Sequence, residues 1–127
     1  GDIYTIGWTL RDWTGTGWDS LTSNFGAYKR IGNQVYIVGY VWGTSNSTSS
    51  TITNLPYPPA LGGDNWQGLI IPYTQDGGTP GPNATGYVYG LSSATNIIFF
   101  LDNAQSGWTN TGDKRFRFSG WYEAESI

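Results

Sequence analysis

Trp8, Trp13 and Trp18 recur at five-residue intervals in a Thr- and Gly-rich setting, and Gly107-Trp108-Thr109 repeats the local pattern. A flat indole packs against the C–H face of a sugar ring while neighbouring Asp, Asn and Thr side chains take its hydroxyls. Trp8 falls in a strand-like pattern, which predicts a packed ring. Trp13, Trp18 and Trp108 lie among turn residues, which predicts exposed stacking platforms. The segment Gly62-Gly63-Asp64-Asn65-Trp66 sets a carboxylate and an amide beside another ring, the donor and acceptor mix that a polyhydroxylated ligand requires. Tyr73, Asp76 and Asn83 flank the Gly/Pro-rich run that follows. The candidate saccharide site is therefore Trp13, Trp18, Asp64, Asn65, Trp66, Tyr73, Asp76 and Trp108. The ordinary structural alternatives stand beside it: Trp closes cores and subunit seams, and Asp-Asn pairs form turns.

Bond-breaking chemistry has little to draw on. The 127-residue chain contains no His, Cys or Met, which removes the imidazole base, the thiol nucleophile and the usual zinc ligands. No Ser-His-Asp arrangement can form. Glu123 and Glu125 are the only glutamates. Two apart on a strand, they would stand ~6–7 Å apart, near the spacing of glycosidase carboxylate pairs. Their place beside the C-terminus reads instead as an exposed charged tail, so no enzyme is expected. Asp64 and Asp76 offer oxygen to calcium, yet no loop shows the regular Asp/Asn spacing of a dedicated site; neither metal nor cofactor is expected. Asn46-Ser47-Thr48 and Asn83-Ala84-Thr85 match the N-glycosylation pattern, which arises by chance in a Ser/Thr/Asn-rich chain.

Charge narrows the partners. Lys and Arg number 6 against 9 Asp and Glu, giving a net charge of −3. Lys29-Arg30 and Lys114-Arg115 form two small clusters, with Arg117 beside the second. So few cations leave no electrostatic footprint for a nucleic-acid backbone. No apolar run is long enough to span a membrane as a helix. A surface of Ser, Thr, Asn and Gly suits the outside of a cell or a virion. Disulfides are impossible, so thiols give no sign of the compartment. Lacking Met, the chain is expected to be a released or engineered fragment with Gly1 as a cleavage scar, a processed mature chain being the alternative.

The elements that must position these residues are strands. Aromatics make up 17% of the chain and Gly 19 residues, and they favour strands and turns respectively. Ile3 to Thr9 predicts a first strand. Phe25 to Ile31 and Gln34 to Trp42, joined by Gly32-Asn33, predict a tight hairpin. Further strands are expected at Ser50 to Leu55, Trp66 to Tyr73, Ala84 to Leu91, Asn96 to Leu101 and Arg115 to Glu123. Loops are expected at Arg11 to Asn24, Pro56 to Asn65, Thr74 to Asn83 and Asp102 to Asp113. The length fits one domain, an antiparallel β-sandwich or jelly-roll-like fold. Residues 1–24 read as a Trp-rich lead-in and 25–127 as the head, within one compact unit.

Two strands carry a signal beyond fold. From Gln34 to Trp42 both alternating faces are apolar, Val35, Ile37 and Val41 on one and Tyr36, Val38, Tyr40 and Trp42 on the other. Ile97 to Leu101 is apolar throughout. One face of a monomeric sandwich sheet normally meets water, so either the aromatics are amphipathic surface groups or a partner subunit covers the second face, and the partner is the reading expected. The last strand alternates cleanly, Phe116, Phe118, Gly120 and Tyr122 against Arg115, Arg117, Ser119 and Trp121.

The stretch Tyr28-Lys29-Arg30-Ile31-Gly32-Asn33-Gln34-Val35-Tyr36-Ile37-Val38-Gly39 resembles the opening hairpin of C-terminal domains of phage tail fibres and receptor-binding proteins. Leu55-Pro56 and the ending Phe118-Ser119-Gly120-Trp121-Tyr122-Glu123-Ala124 are similar to the closing part of that family. The likeness runs from about Phe25 to Ala124, and Gly1 to Asn24 departs from it. It implies a homotrimeric β-structure at the distal end of a fibre, binding cell-surface glycan. The alternatives are a trimerising or capsid-decorating module without a ligand, and a carbohydrate-binding module of a secreted enzyme.

Overall fold

The computed structural model describes residues 7–60, 67–77, 79–80, 84–89, 96–100 and 107–125. Its strands are β1 (Thr9–Leu10), β2 (Gly15–Thr16), β3 (Thr22–Ile31), β4 (Gln34–Thr44), β5 (Thr51–Ile52), β6 (Gln67–Asp76), β7 (Thr79–Pro80), β8 (Thr85–Tyr89), β9 (Asn96–Phe100) and β10 (Asp113–Glu123). No helix occurs among the described residues. The predicted hairpin is β3 and β4, and Gly32 takes φ 60° in its turn, a conformation that costs glycine nothing. The all-β antiparallel class expected from composition is the one observed.

The strands form one continuous antiparallel sheet in the order β1-β3-β4-β10-β6-β8-β9-β5-β2, with β7 against β6. Its corner is β6. Residues Gln67 to Leu69 pair with β8, whereas Ile70 to Asp76 pair with β10 across a register break between Arg117 and Ser119. The sheet therefore curls into a half-barrel whose two limbs face each other. Side chains alternate along each long strand. Val35, Ile37 and Val41 of β4 and Phe116, Phe118 and Tyr122 of β10 point inward to meet Ile97, Phe99 and Val88 from the other limb.

The predicted loop from Arg11 to Asn24 is instead a strap across the open mouth of the curl. Its start is tied to β3 by Arg11 N–H to the Gly26 carbonyl at 2.9 Å. Its middle pairs with β5, Gly15 opposite Ile52, and Thr14 N–H donates to Asn54 Oδ1 at 2.9 Å. Its end returns to the β4 terminus, where Trp18 pairs with Ser45 and Asp19 N–H reaches the Thr44 carbonyl at 2.8 Å. The predicted Thr74 to Asn83 loop is also shorter than expected, because β6 continues to Asp76 and turns at Gly77, φ 61°, into β7. Residues 1–6, which carry most of the predicted first strand, lie outside the described residues.

Candidate functional site: a sheet face of rings and guanidiniums

The strap decides the fate of the tryptophans. Trp13, Trp18 and Trp108 are 2%, 7% and 2% exposed, so they are core residues and not the stacking platforms expected from their loop setting. Glycines on the strands make their seats. A Cβ on Gly39 would stand 2.5 Å from Trp13 Nε1, and one on Gly26 would meet the same indole at 2.6 Å. A Cβ on Gly43 would stand 2.5 Å from Trp18 Cδ1. Buried indole N–H groups usually find an acceptor: Trp13 donates to the Val38 carbonyl at 3.1 Å and Trp108 to the Phe99 carbonyl at 2.8 Å, whereas Trp18 Nε1 is buried without a partner. Trp8, expected to pack, is half-buried under Lys29, whose Nζ lies 5.1 Å from its ring centroid.

The other predicted site residues scatter. Asp76 turns its carboxylate to the chain just after Trp108, accepting Thr109 N–H at 3.2 Å and Thr109 Oγ1–H at 3.0 Å. It clips a loop. Tyr73 lies on the outer face of β6 with its hydroxyl donating to Gln75 Oε1 at 2.9 Å. Asp64, Asn65 and Trp66 lie outside the described residues, as does Asn83. Among the described residues, Trp18 and Trp108 meet only inside the core, against Phe116, and the predicted saccharide residues form no cluster that a ligand can reach.

One feature escaped the reading of the sequence and another was seen only strand by strand. The first is Lys114, which is 0% exposed. Its Nζ donates to the carbonyls of Gly17 at 3.1 Å, Ser47 at 3.2 Å and Ser49 at 3.4 Å, and it lies 5.4 Å from the Trp18 ring centroid. Burial pushes the ammonium down to about 8, with the Asp76 carboxylate opposing. This side chain fastens the end of the strap and the 45–50 segment to β10. Its inward direction follows from the alternation that also sends Phe116 and Phe118 inward, so two-residue spacing was the available signal.

The second feature is the outer face of β3, β4, β10 and β6, where register assembles rows that no single strand shows. One row reads Phe25, Tyr40, Arg117, Tyr73, and the next reads Thr22, Trp42, Arg115, Gln75. The Arg117 guanidinium carbon lies 4.5 Å from the Tyr40 ring centroid. Tyr40 meets Trp42 edge-on at 5.5 Å and Tyr73 at 6.5 Å. The nearby Tyr40 side chain, first, holds the Arg115 guanidinium above its ordinary value, burial working against this and Asp113 adding to it. Its pair with Asp113 spans 3.3 Å. A depression of about 280 Å³ opens between Phe25, Val38, Tyr40, Arg117 and Ser119.

Further along the same face the character changes. Ile70 and Trp121, 67% and 49% exposed, flank a notch of about 320 Å³ with Gln67, Gly68 and Gly120. No charged side chain lines it. The doubly apolar β4 that predicted a covering partner is thus real as a pattern, but its outer residues Tyr36, Val38, Tyr40 and Trp42 are half-buried among their own neighbours.

Comparison with family models, with curated proteins and with solved structures finds no match. What the face can do follows from its chemistry alone. Rings offer flat apolar area, guanidiniums offer fixed positive charge in a planar donor fork, and the pair is well suited to recognition by contact.

Proposed function

We propose that this chain is a non-catalytic recognition module, the receptor-binding tip of a phage tail fibre or a similar virion protein, which takes cell-surface saccharide on its outer sheet face and works outside the cell as a homotrimer. One observation carries the reading: among the described residues, Phe25, Tyr40, Trp42 and Tyr73 set four reachable rings side by side on that face. Phe25 is 52% exposed, and Tyr40, Trp42 and Tyr73 stand half-exposed in adjoining rows. The family resemblance of the β3–β4 hairpin and the closing strand supports the same reading. A weak single site suffices, because three linked copies multiply affinity through effective concentration.

A glycan array probed with the intact chain tests this, with Tyr40→Ala and Trp42→Ala beside it. Binding lost in both variants, with the far-ultraviolet circular dichroism of the folded sheet retained, is the expected result. Binding that survives both removes this face from the proposal, and an array without signal removes the saccharide.

A second reading, a trimerising or capsid-decorating module without a ligand, is favoured by the uncharged notch beside Ile70 and Trp121. A notch of that kind suits an apolar side chain from another copy. Sedimentation of the chain separates the readings from a carbohydrate-binding module of a secreted enzyme, which runs as a monomer.

A further inference from the structure

We propose that the saccharide is an acidic one, its sugar rings stacked on Phe25, Tyr40, Trp42 and Tyr73 and its carboxylate held by the guanidiniums of Arg115 and Arg117; this deepens the saccharide reading and rests on it. The first support is charge. The chain carries −3 overall, yet these two cations stand two residues apart on one strand and face the same way. Among the described residues Arg117 has no carboxylate partner, and the one ion pair, Arg115 with Asp113, is made by side chains 37% and 52% exposed. Such an open pair is weak, and a ligand carboxylate can join or replace it.

The second support is geometry. Arg117 lies over the Tyr40 ring at 4.5 Å, and this contact restricts its guanidinium before any ligand arrives. A pre-oriented fork loses less freedom when it takes a carboxylate through two parallel hydrogen bonds. Arg115 stands two residues away on the same face, in the row that holds Trp42. The adjoining depression between Phe25, Tyr40 and Arg117 gives a sugar ring an apolar floor beside them. A neutral sugar gains the rings alone, whereas an acidic one gains a charge-assisted pair as well, at least about tenfold in affinity.

The third support separates this ligand from a nucleic acid, for which rings and arginines also serve. Tracking a phosphate backbone needs a stripe of cations. Here 6 cations are outnumbered by 9 acidic side chains, so a compact ligand with few charges fits and a polyanion meets repulsion.

Calorimetric titration of the intact chain with matched pairs tests the proposal: trigalacturonate against galactotriose, and sialyllactose against lactose, with oligothymidylate as a further probe. The expected result is a preference of about tenfold or more for an acidic member over its neutral partner. That preference should weaken as salt is raised. Arg117→Gln, an exposed position, should abolish the preference, and Arg117→Lys should restore only part of it. Phe25→Ala should weaken acidic and neutral binding alike. Equal affinity within both pairs, untouched by Arg117→Gln, overturns the acidic assignment and leaves the saccharide reading standing. Binding of no saccharide by the folded chain overturns both, and tighter binding of oligothymidylate overturns both in favour of single-stranded nucleic acid.

Discussion

The rings of Phe99 on β9 and Phe116 on β10 stack face to face, their centroids 4.3 Å apart and their planes within 9°, although β6 and β8 separate their strands in the sheet. Only a sheet that doubles back on itself allows this contact. Trp108 meets Phe116 edge-on at 4.7 Å and Trp18 does so at 5.9 Å. Phe116 is thus the hub through which the two limbs and the strap are joined.

Phe116→Ala should destabilise the fold by about 3–5 kcal/mol, the transfer and cavity cost of deleting a buried phenylalanine. Urea denaturation followed by tryptophan emission measures it. A loss below about 1 kcal/mol would mean that the limbs do not meet at this ring.

Gly39→Ala tests the seat of Trp13. The added methyl would stand 2.5 Å from the indole nitrogen and from Phe118 Cζ, and overpacking of this kind costs about 1–3 kcal/mol. The denaturation midpoint should fall and the emission should shift to the red. An unchanged midpoint would show that Trp13 does not rest on Gly39.

The hairpin was legible because its signals are local: β-prone runs flank Gly32-Asn33, and the observed β3 and β4 extend the predicted bounds by a few residues. The tryptophans were misread because their seats are remote. Nothing beside Trp13 announces that Gly26 and Gly39 lie opposite each other in register, leaving a gap shaped for an indole. The outer face was half legible, as the doubly apolar β4 and the alternating β10. Its rows needed the register of four strands. Lys114 was grouped with Arg115 as a cluster, yet consecutive residues of a strand point to opposite sides, and one is buried while the other faces the solvent side.

Lys114 should make stability rise with pH in the mildly alkaline range. The folded ammonium titrates at about 8 and the unfolded one at 10.5. Between these values the unfolded chain holds the extra proton, so stability increases as pH climbs, and the gain is lost as pH falls through about 8. Tyr122 acts in the opposite sense at higher pH. Burial raises its phenol above the ordinary 10.0, so the stability it supplies is present below that value and lost above it. Thermal melts between pH ~8 and ~10 should therefore climb in the parent chain and stay flat in Lys114→Met. Asp76→Asn, which removes the carboxylate that opposes the shift, should start the climb at lower pH.

Ile70→Lys and Trp121→Ser probe the uncharged notch. Both residues are largely open to solvent, so stability of the single chain should change by no more than about 0.5 kcal/mol. Sedimentation velocity should show any trimer dissociating in these variants. A trimer that persists in both places the seam between copies elsewhere.

The position of β10 has a consequence for how the protein is made. It fills the middle of the sheet between β4 and β6, yet it is translated after both. A ribosome adding about 5–20 residues per second therefore exposes a growing polypeptide with two unsatisfied strand edges and no β10 to close them. Such edges invite pairing with other chains. Productive folding must wait for residues 113–123, so elongation pauses just upstream of them are where a nascent chain of this protein is most vulnerable to clumping.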